Sequence, residues 1–316
     1  MSTPYLVTMG ETMALFSAQN TGPLAHAATM SLGIGGSESN VAIGVSRLGG
    51  AAVWCGRVGN DPLGRLVERE IRAEGVDTRA IIDNDARTGL MIKERRTQAT
   101  QSITYYRAHS AGSRLSRNDI DTDLIGDAAI LHLSGITAAV SPSAADAVAY
   151  AMTVARANGV TVSFDLNHRS NLWSDETATQ AYERLLPLCD IVFAGVDEAR
   201  VLTYAEDPPN DLAKSIAARG PAEVIIKLGG EGAVALIDGV SFQQIAVPIT
   251  PVDTVGAGDA FVAGYLFERM RGNPPIDRLA LAARTGAFVC LAAGDWEGLP
   301  RLDELELLDF AEPVKR

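Results

Sequence analysis

Cysteine is scarce in this 316-residue chain. The three present, Cys55, Cys189 and Cys290, are far apart, odd in number and form no CxxC pair. A disulfide framework is therefore not expected, and a reducing compartment, the cytoplasm, is. All three lie in apolar stretches such as Ala287-Phe288-Val289-Cys290-Leu291, where a thiol stays protonated, so a cysteine nucleophile is not expected either. Histidine is equally sparse. His26, His109, His132 and His168 show no HExxH or paired spacing, which gives no reason to expect a zinc site. Positive charge is in deficit: 27 Lys+Arg stand against 39 Asp+Glu, a net charge of −12. That balance argues against a nucleic-acid partner, although a small, locally positive site for an anionic substrate can exist on an acidic protein. No run of about 18 apolar residues occurs, so no membrane span is expected. The opening MSTPYLVTMGETMALF has neither a basic leader nor a continuous apolar core of signal-peptide length. Internal repeats and low-complexity linkers are also missing. Apolar residues make up 47% and charged residues 21%, the composition of a folded globular chain.

The pattern along the chain predicts two textures. Strands are expected at Tyr5–Met9 and Ala51–Val58, with a helix over Leu63–Glu74 whose apolar Leu66, Val67 and Ile71 share a face and which Gly75 stops. Residues 79–107 read as short strands (80–82, 88–96, 102–107) with no helix between them, an antiparallel patch. From about residue 128 strands alternate with helices. The strands are expected near 129–133, 160–164, 190–194, 224–227 and 233–237, and the helices near 142–158, 176–186, 256–271 and 276–293. Buried strands alternating with helices indicate a mostly parallel sheet covered on both faces, with the antiparallel patch as an excursion from it.

The most informative segment is Asp253-Thr254-Val255-Gly256-Ala257-Gly258-Asp259-Ala260-Phe261. Gly256, Ala257 and Gly258 leave backbone N–H groups unobstructed at a helix N-terminus, where the donors and the helix dipole together attract an anion. Asp259 projects from the first turn beside them, placed to act as a general base on a hydroxyl. An anion hole beside a base is what phosphoryl transfer to an alcohol requires. In isolation, Asp259 could equally be an N-terminal helix acid above a tight turn. Competing motifs fail on spacing: Gly256-x-Gly258-x-x-Phe261 and Gly33-x-Gly35-x-x-Glu38 both lack the third glycine of the dinucleotide fingerprint, and no GxxxxGK[ST] is present.

These residues resemble the ribokinase-like family of carbohydrate kinases over nearly the whole chain. The second signature is Gly35-Gly36-Ser37-Glu38-Ser39-Asn40-Val41-Ala42, followed by Ser46-Arg47-Leu48-Gly49 and Gly56-Arg57-Val58-Gly59-Asn60-Asp61-Pro62-Leu63-Gly64. Within the family the chain is similar to 2-keto-3-deoxygluconate kinases through Gly10-Glu11-Thr12-Met13, Tyr105-Tyr106-Arg107, Ser110-Ala111-Gly112-Ser113, His132-Leu133-Ser134-Gly135-Ile136 and Asp165-Leu166-Asn167-His168-Arg169 with Trp173. The resemblance implies one ribokinase-like α/β domain over 1–316, with a small antiparallel β lid formed by segments near 12–34 and 79–110. It implies ATP and Mg²⁺, admits a monovalent cation, and suggests a homo-oligomer joined through the lid.

The same resemblance assigns roles. Asp259 is the expected base and Gly256, Ala257 and Gly258 the anion hole. Gly36, Asn40, Tyr105, Arg107, Arg169 and Asp295 are expected at the sugar. Asn167, Lys227, Gly229 and Gly232 are expected at ATP, together with Gly256 and Gly258, and Lys227-Leu228-Gly229-Gly230 is also an ordinary hairpin turn. Glu198 is expected near the metal through water, although Gly195 stands where the family often has Asn. Met91 occupies a lid position where related kinases can carry an aromatic residue. A keto-deoxy sugar acid carries a carboxylate, which two planar guanidinium groups, Arg107 and Arg169, suit. Tyr105 and Arg107 fall on one face of a strand by the two-residue period. The alternatives are a neutral-sugar kinase of the fructokinase or ribokinase type and a sugar-binding regulator that keeps the fold without catalysis.

Overall fold

The computed structural model describes residues 3–97 and 100–309. The chain begins with β1 (Tyr5–Met9), β2 (Met13–Ala18) and β3 (Met30–Gly35), then α1 (Ser37–Arg47), β4 (Ala51–Gly59), α2 (Pro62–Ala73), β5 (Asp77–Asp83), β6 (Leu90–Arg95) and β7 (Gln101–Tyr106). It continues through α3 (Thr122–Gly126), β8 (Ile130–Ser134), α4 (Gly135–Val140), α5 (Pro142–Ala157), β9 (Thr161–Asp165), α6 (Asp175–Leu185), β10 (Ile191–Gly195), α7 (Val196–Thr203) and α8 (Pro209–Ala217). The last elements are β11 (Glu223–Lys227), β12 (Ala233–Ile237), β13 (Val240–Gln244), α9 (Ala257–Met270) and α10 (Pro275–Val289).

Local signals fix several of these limits. Asp61 caps α2 by accepting from the Gly64 N–H at 2.8 Å, and Pro62 takes the first turn, where a missing N–H costs nothing. Gly75, at φ +81°, ends the segment. Ser141 caps α5 through the Ala144 N–H in the same way, and Ala144, Ala147, Val148, Ala151 and Ala155 form its buried face.

Nine strands form the large sheet in the order β13-β12-β11-β10-β9-β8-β1-β4-β5. All pairs from β11 to β5 are parallel, and β12 and β13 add an antiparallel edge. Successive residues of each strand feed opposite faces. Leu6, Phe193 and Ile225 join one core with α1, α2, α9 and α10, while Val7, Val192 and Val224 join the other with α5, α6, α7 and α8. Both faces are thus covered, as the buried, non-alternating strands require.

A second sheet has the order β3-β2-β6-β7. Two antiparallel hairpins, β2–β3 and β6–β7, meet along the parallel pair β2–β6. Residues 79–83, expected in this patch, instead extend the large sheet as β5, in parallel register with β4 (Cys55 opposite Arg79). The cause is α2, which carries the chain back along the sheet so that β5 runs in the direction of β4. The expected helix over 276–293 ends at Val289, where the chain turns through Leu291 N–H to Phe288 O. Helix α1 had no amphipathic signal because Ser37 to Val45 are all buried, so no polar stripe marks it. Among the described residues no helix is long and apolar enough to cross a membrane.

Candidate active site

The chain leaves β1 for β4 and β5 on one side and later fills β8 to β11 on the other. The strand order therefore reverses beside β1, and the crevice outside the carboxyl ends of the strands is the expected place for a ligand. A cleft of about 450 Å³ lies there, between the large and small sheets, within the usual range for a small-molecule site.

Asp259 stands at its floor, in the first turn of α9. Gly256 caps this helix at φ +78°, and a Cβ there would sit 2.7 Å from the Asp295 carbonyl oxygen, so only glycine fits. The first amides of α9 have no intrahelical acceptor; Gly256 and Gly258 line the cleft, whereas the Ala257 N–H, expected in the anion hole, donates to Thr254 O at 3.3 Å and Ala257 lines the adjoining cavity. Ser37 Oγ donates to Asp259 Oδ1 at 2.7 Å, and Asn40 Nδ2 donates to Asp259 Oδ2 at 2.8 Å. The same Asn40 amide donates to Asp295 Oδ1 at 2.9 Å. Asn167 Nδ2 donates to Ser37 Oγ at 2.8 Å, and Asn167 adopts φ +38°, a conformation asparagine tolerates better than most residues. Burial pushes the Asp259 carboxyl above its usual range; Asn40 and Ser37 oppose that, Asp165 adds to it and Lys227 offsets it. Asp295 is pushed up to about 7, first by burial and then by the charge of Asp259. Two carboxylates thus share one amide donor, and ionising the second is disfavoured by the first.

The N-terminal motif supplies this network because Gly36 lets the chain pass the backbone of Glu11: a Cβ on Gly36 would lie 2.6 Å from Glu11 O. In the same first turn of α1, Glu38 is fully buried and accepts from Ser134 Oγ at 2.6 Å and Thr137 Oγ1 at 2.5 Å, tying α1 to the end of β8 and to α4. Burial raises its pKa against those two bonds.

Tyr105 and Arg107 lie on one side of the β7 segment as the two-residue period required, with the guanidinium 6.0 Å from the ring centroid, and both line the cleft. Arg107 is not free, however. Its Nε and Nη2 both donate to Glu11 Oε2, at 2.8 and 2.7 Å, and Ser110 Oγ donates to Glu11 Oε1. Arg169 also lines the cleft, but is exposed, and its Nη1 donates to His168 O at 3.4 Å. Met91 packs with Met13, Leu15, Ile103 and Tyr105, the apolar centre of the small sheet.

Residues expected at the nucleotide cluster on the far side of Asp259. Lys227 ends β11 and its ammonium donates to Asp165 Oδ2 at 2.7 Å. Burial works against that charge, but Asp165 and Glu198 more than compensate and raise its pKa. A Cβ on Gly258 would lie 3.6 Å from Lys227 Nζ, so the ammonium borders the amide-rich turn. Gly229 (φ +57°) and Gly232 (φ +105°) shape the turn between the antiparallel β11 and β12, and a Cβ at Gly229 or Gly230 would meet nothing within 4 Å. That open turn borders an apolar cavity of about 390 Å³ walled by Val247, Ile249, Pro251, Phe261, Ala287 and Cys290. Glu198 accepts from the Gly195 N–H at 2.7 Å and the His168 N–H at 3.2 Å, so both its oxygens serve the backbone, and burial raises its pKa. No group of three or more metal-ligating side chains occurs among the described residues. Burial pushes Cys55 up to about 12 and raises Cys189 and Cys290, which leaves no reactive thiol.

Sequence reasoning brought together Gly36, Asn40, Tyr105, Arg107, Asn167, Arg169, Glu198, Lys227, Gly256, Gly258, Asp259 and Asp295, all of which line the cleft. Ala257, Gly229 and Gly232 line the adjoining cavity. It passed over Glu11, Ser37, Lys93 and Asp165. Glu11, Ser37 and Asp165 were inside quoted motifs without a role, and Lys93 carried a signal of its own: alternation along β6 puts it on the buried face with Met91.

Residues 3–302 match the family described as pfkB family carbohydrate kinases. The chain is 36% identical to a 2-dehydro-3-deoxygluconokinase of Bacillus subtilis, covering 95% of this chain and 93% of that one. It is 34% identical to a 2-dehydro-3-deoxygalactonokinase of Haloferax volcanii, covering 93% of each. A crystal structure of a putative Ribokinase II from E. coli in complex with ATP and Mg²⁺ superposes with a TM-score of 0.89 at 26% identity, covering 97% of this chain and 99% of that one. The helix-borne Asp259 with its glycine turn, the parallel sheet and the second small sheet therefore belong to a recognised whole: this chain is a member of the PfkB family of carbohydrate kinases.

Proposed function

We propose that the chain transfers the γ-phosphoryl group of ATP to a hydroxyl of a keto-deoxy sugar acid, 2-keto-3-deoxygluconate (2-dehydro-3-deoxygluconate), giving its 6-phosphate. The observation that carries this reading is the Asp259 carboxylate, held by Ser37 and Asn40 beside the glycine turn that opens α9. Asp259 accepts the hydroxyl proton as the new P–O bond forms, and its raised pKa brings its basicity closer to neutral pH, where a base works best. Gly256, Gly258 and the Lys227 ammonium border the cleft beside Asp259, where phosphoryl charge develops in this reading.

The open Gly229-Gly230 turn and the apolar cavity beside it fit an adenosine moiety, since nothing obstructs the backbone there and the walls are apolar. Both Glu198 oxygens are engaged by backbone amides, so a water-mediated role towards a nucleotide-bound cation suits it better than direct ligation. Mg²⁺, carried on the nucleotide, supplies charge neutralisation on the phosphoryl oxygens when bound.

The substrate class follows from the two arginines. Among the described residues Arg169 has no carboxylate within ion-pair distance, whereas Arg107 is oriented by Glu11 and offers its remaining N–H groups. The small sheet acts as the lid, excluding water when it closes. Its outer face, where Leu32 and Tyr106 are exposed, is the surface for a second copy of the chain, and the three unpaired cysteines suit a cytoplasmic enzyme.

The test is a coupled ADP-release assay with Mg-ATP, comparing 2-keto-3-deoxygluconate and its galactonate epimer with fructose and ribose. A kcat/KM for the keto acids well above that for either neutral sugar supports the reading. Turnover of a neutral sugar alone would keep Asp259 and overturn the roles of Arg107 and Arg169. ATP binding without turnover of any sugar would favour the regulator.

A further inference from the structure

Lys93 is a lysine buried in the small sheet. It stands on β6, two residues from Met91 and on the same face, and its side chain is only 7% exposed. Its ammonium lies 2.7 Å from Asp253 Oδ2, across 160 residues of sequence. The side chain of Gln101, the first residue of β7, also favours the ionised form of this carboxylate. Each strand of the β6–β7 hairpin therefore sends one polar side chain to a single point on the large domain. That point opens the turn into α9. Asp253 Oδ1 accepts the Val255 N–H at 3.1 Å, and the Val252 and Asp253 N–H groups are anchored on Cys290 O at 2.8 and 3.3 Å. Three residues later Gly256 caps the helix, and Asp259 follows in its first turn.

A buried ion pair of this kind is a poor source of net stability, because desolvating both charges offsets most of their attraction. Its physical consequence is interdependence: either charge left buried alone is strongly disfavoured, so both must be dry together or wet together. Lifting the hairpin would expose Lys93 and leave Asp253 without its counter-charge at the base of the amide-rich turn.

We propose that Lys93 is a positioning residue: by pairing with Asp253 it makes closure of the small sheet and ordering of the 253–258 turn one event. Its effect on turnover rests on the kinase reading above; the coupling of the two segments does not.

The experiment therefore has two readouts on the full-length chain. Amide hydrogen exchange without ligand follows segments 90–106 and 253–258 in the wild type and in Lys93→Met. Both segments are expected to exchange about tenfold faster in the variant, as loss of a shared closing contact would cause. Steady-state kinetics are expected to show kcat lowered by roughly tenfold to a hundredfold, the scale of a misplacement of about 1 Å, with the KM for ATP changed much less. In Lys93→Ala, added methylammonium, which can enter the vacated space and pair with Asp253, is expected to restore part of kcat, and the bulkier tetramethylammonium is not.

Faster exchange in the hairpin alone, with 253–258 unchanged, would overturn the coupling, and so would wild-type exchange in both. A kcat that falls with no response to methylammonium would reduce Lys93 to a packing role. If Lys93→Met does not fold, the charge-neutral Lys93→Met/Asp253→Asn pair carries the same test. If the wild type turns over no sugar, the kinase reading fails while the exchange comparison still decides the coupling.

Discussion

Asn40 holds two carboxylates with one amide group, and its removal has a calculable effect. Its Nδ2 donates to Asp259 Oδ2 at 2.8 Å and to Asp295 Oδ1 at 2.9 Å. Both bonds favour the ionised acids, and both acids already have raised pKa values, chiefly through burial. A hydrogen bond to a charged group contributes about 1.5–3 kcal/mol. At about 1.4 kcal/mol per pKa unit, losing it raises the pair's apparent pKa values by roughly one to two units. In Asn40→Ala the base is then protonated over a wider acid range. The acid limb of the kcat/KM profile should move up by roughly one unit or more, so that activity relative to wild type is lowest at acid pH and recovers as pH rises. The measurement is a pH–rate profile from about pH 5 to 9, made alongside a profile with Asn40→Asp, which adds a third carboxylate and should shift the limb further in the same direction. A loss of rate equal at every pH, with the limb unmoved, would refute the reasoning and make Asn40 a substrate contact alone.

Three further outcomes follow from the same geometry. Arg169→Leu should raise the KM for a keto-deoxy acid by about tenfold or more while leaving ATP and any neutral-sugar activity nearly unchanged, because a charge-assisted bidentate contact is lost; steady-state titration of each substrate separates these. Arg107→Leu should be more damaging to stability than Arg169→Leu, since it strands the buried Glu11 carboxylate, at a cost of about 3–5 kcal/mol, and a chemical melt reads the difference. Gly256→Ala should cost about 1–3 kcal/mol and lower kcat, as the added methyl meets Asp295 at a positive φ, and thermal unfolding with ADP release checks both.

Much of this architecture was legible because the parallel sheet writes itself as apolar runs. Ile130–Ser134 and Ile191–Gly195 sit within a residue or two of the expected strands, and Ser141-Pro142 marked the start of α5 through cap chemistry. The site's core was legible for a different reason. A glycine turn, a helix start and a carboxylate lie within a few residues, so chemistry and local structure share one segment.

What escaped detection depended on distant pairings. Residues 79–83 look like any short strand, and only their register with β4 assigns them to the large sheet. Helix α1 is buried all round, which erases the periodicity that reveals a helix. Arg107 was expected at the sugar carboxylate, and its pairing with Glu11 escaped notice because the two are 96 residues apart. Glu198 fitted a metal-linked role by motif, while its hydrogen bonds are those of a helix-capping glutamate.

The central claim is that Asp259 removes the hydroxyl proton. Asp259→Asn preserves size and can still accept from Ser37 or Asn40, so the fold and nucleotide binding should survive. The decisive measurement is ADP release by this variant with Mg-ATP and 2-keto-3-deoxygluconate, run beside an ATP-binding titration. A kcat lower by about 10²–10⁴-fold, with ATP affinity unchanged, is the expected result. A kcat within about threefold of wild type, far short of what a general base contributes, would contradict it.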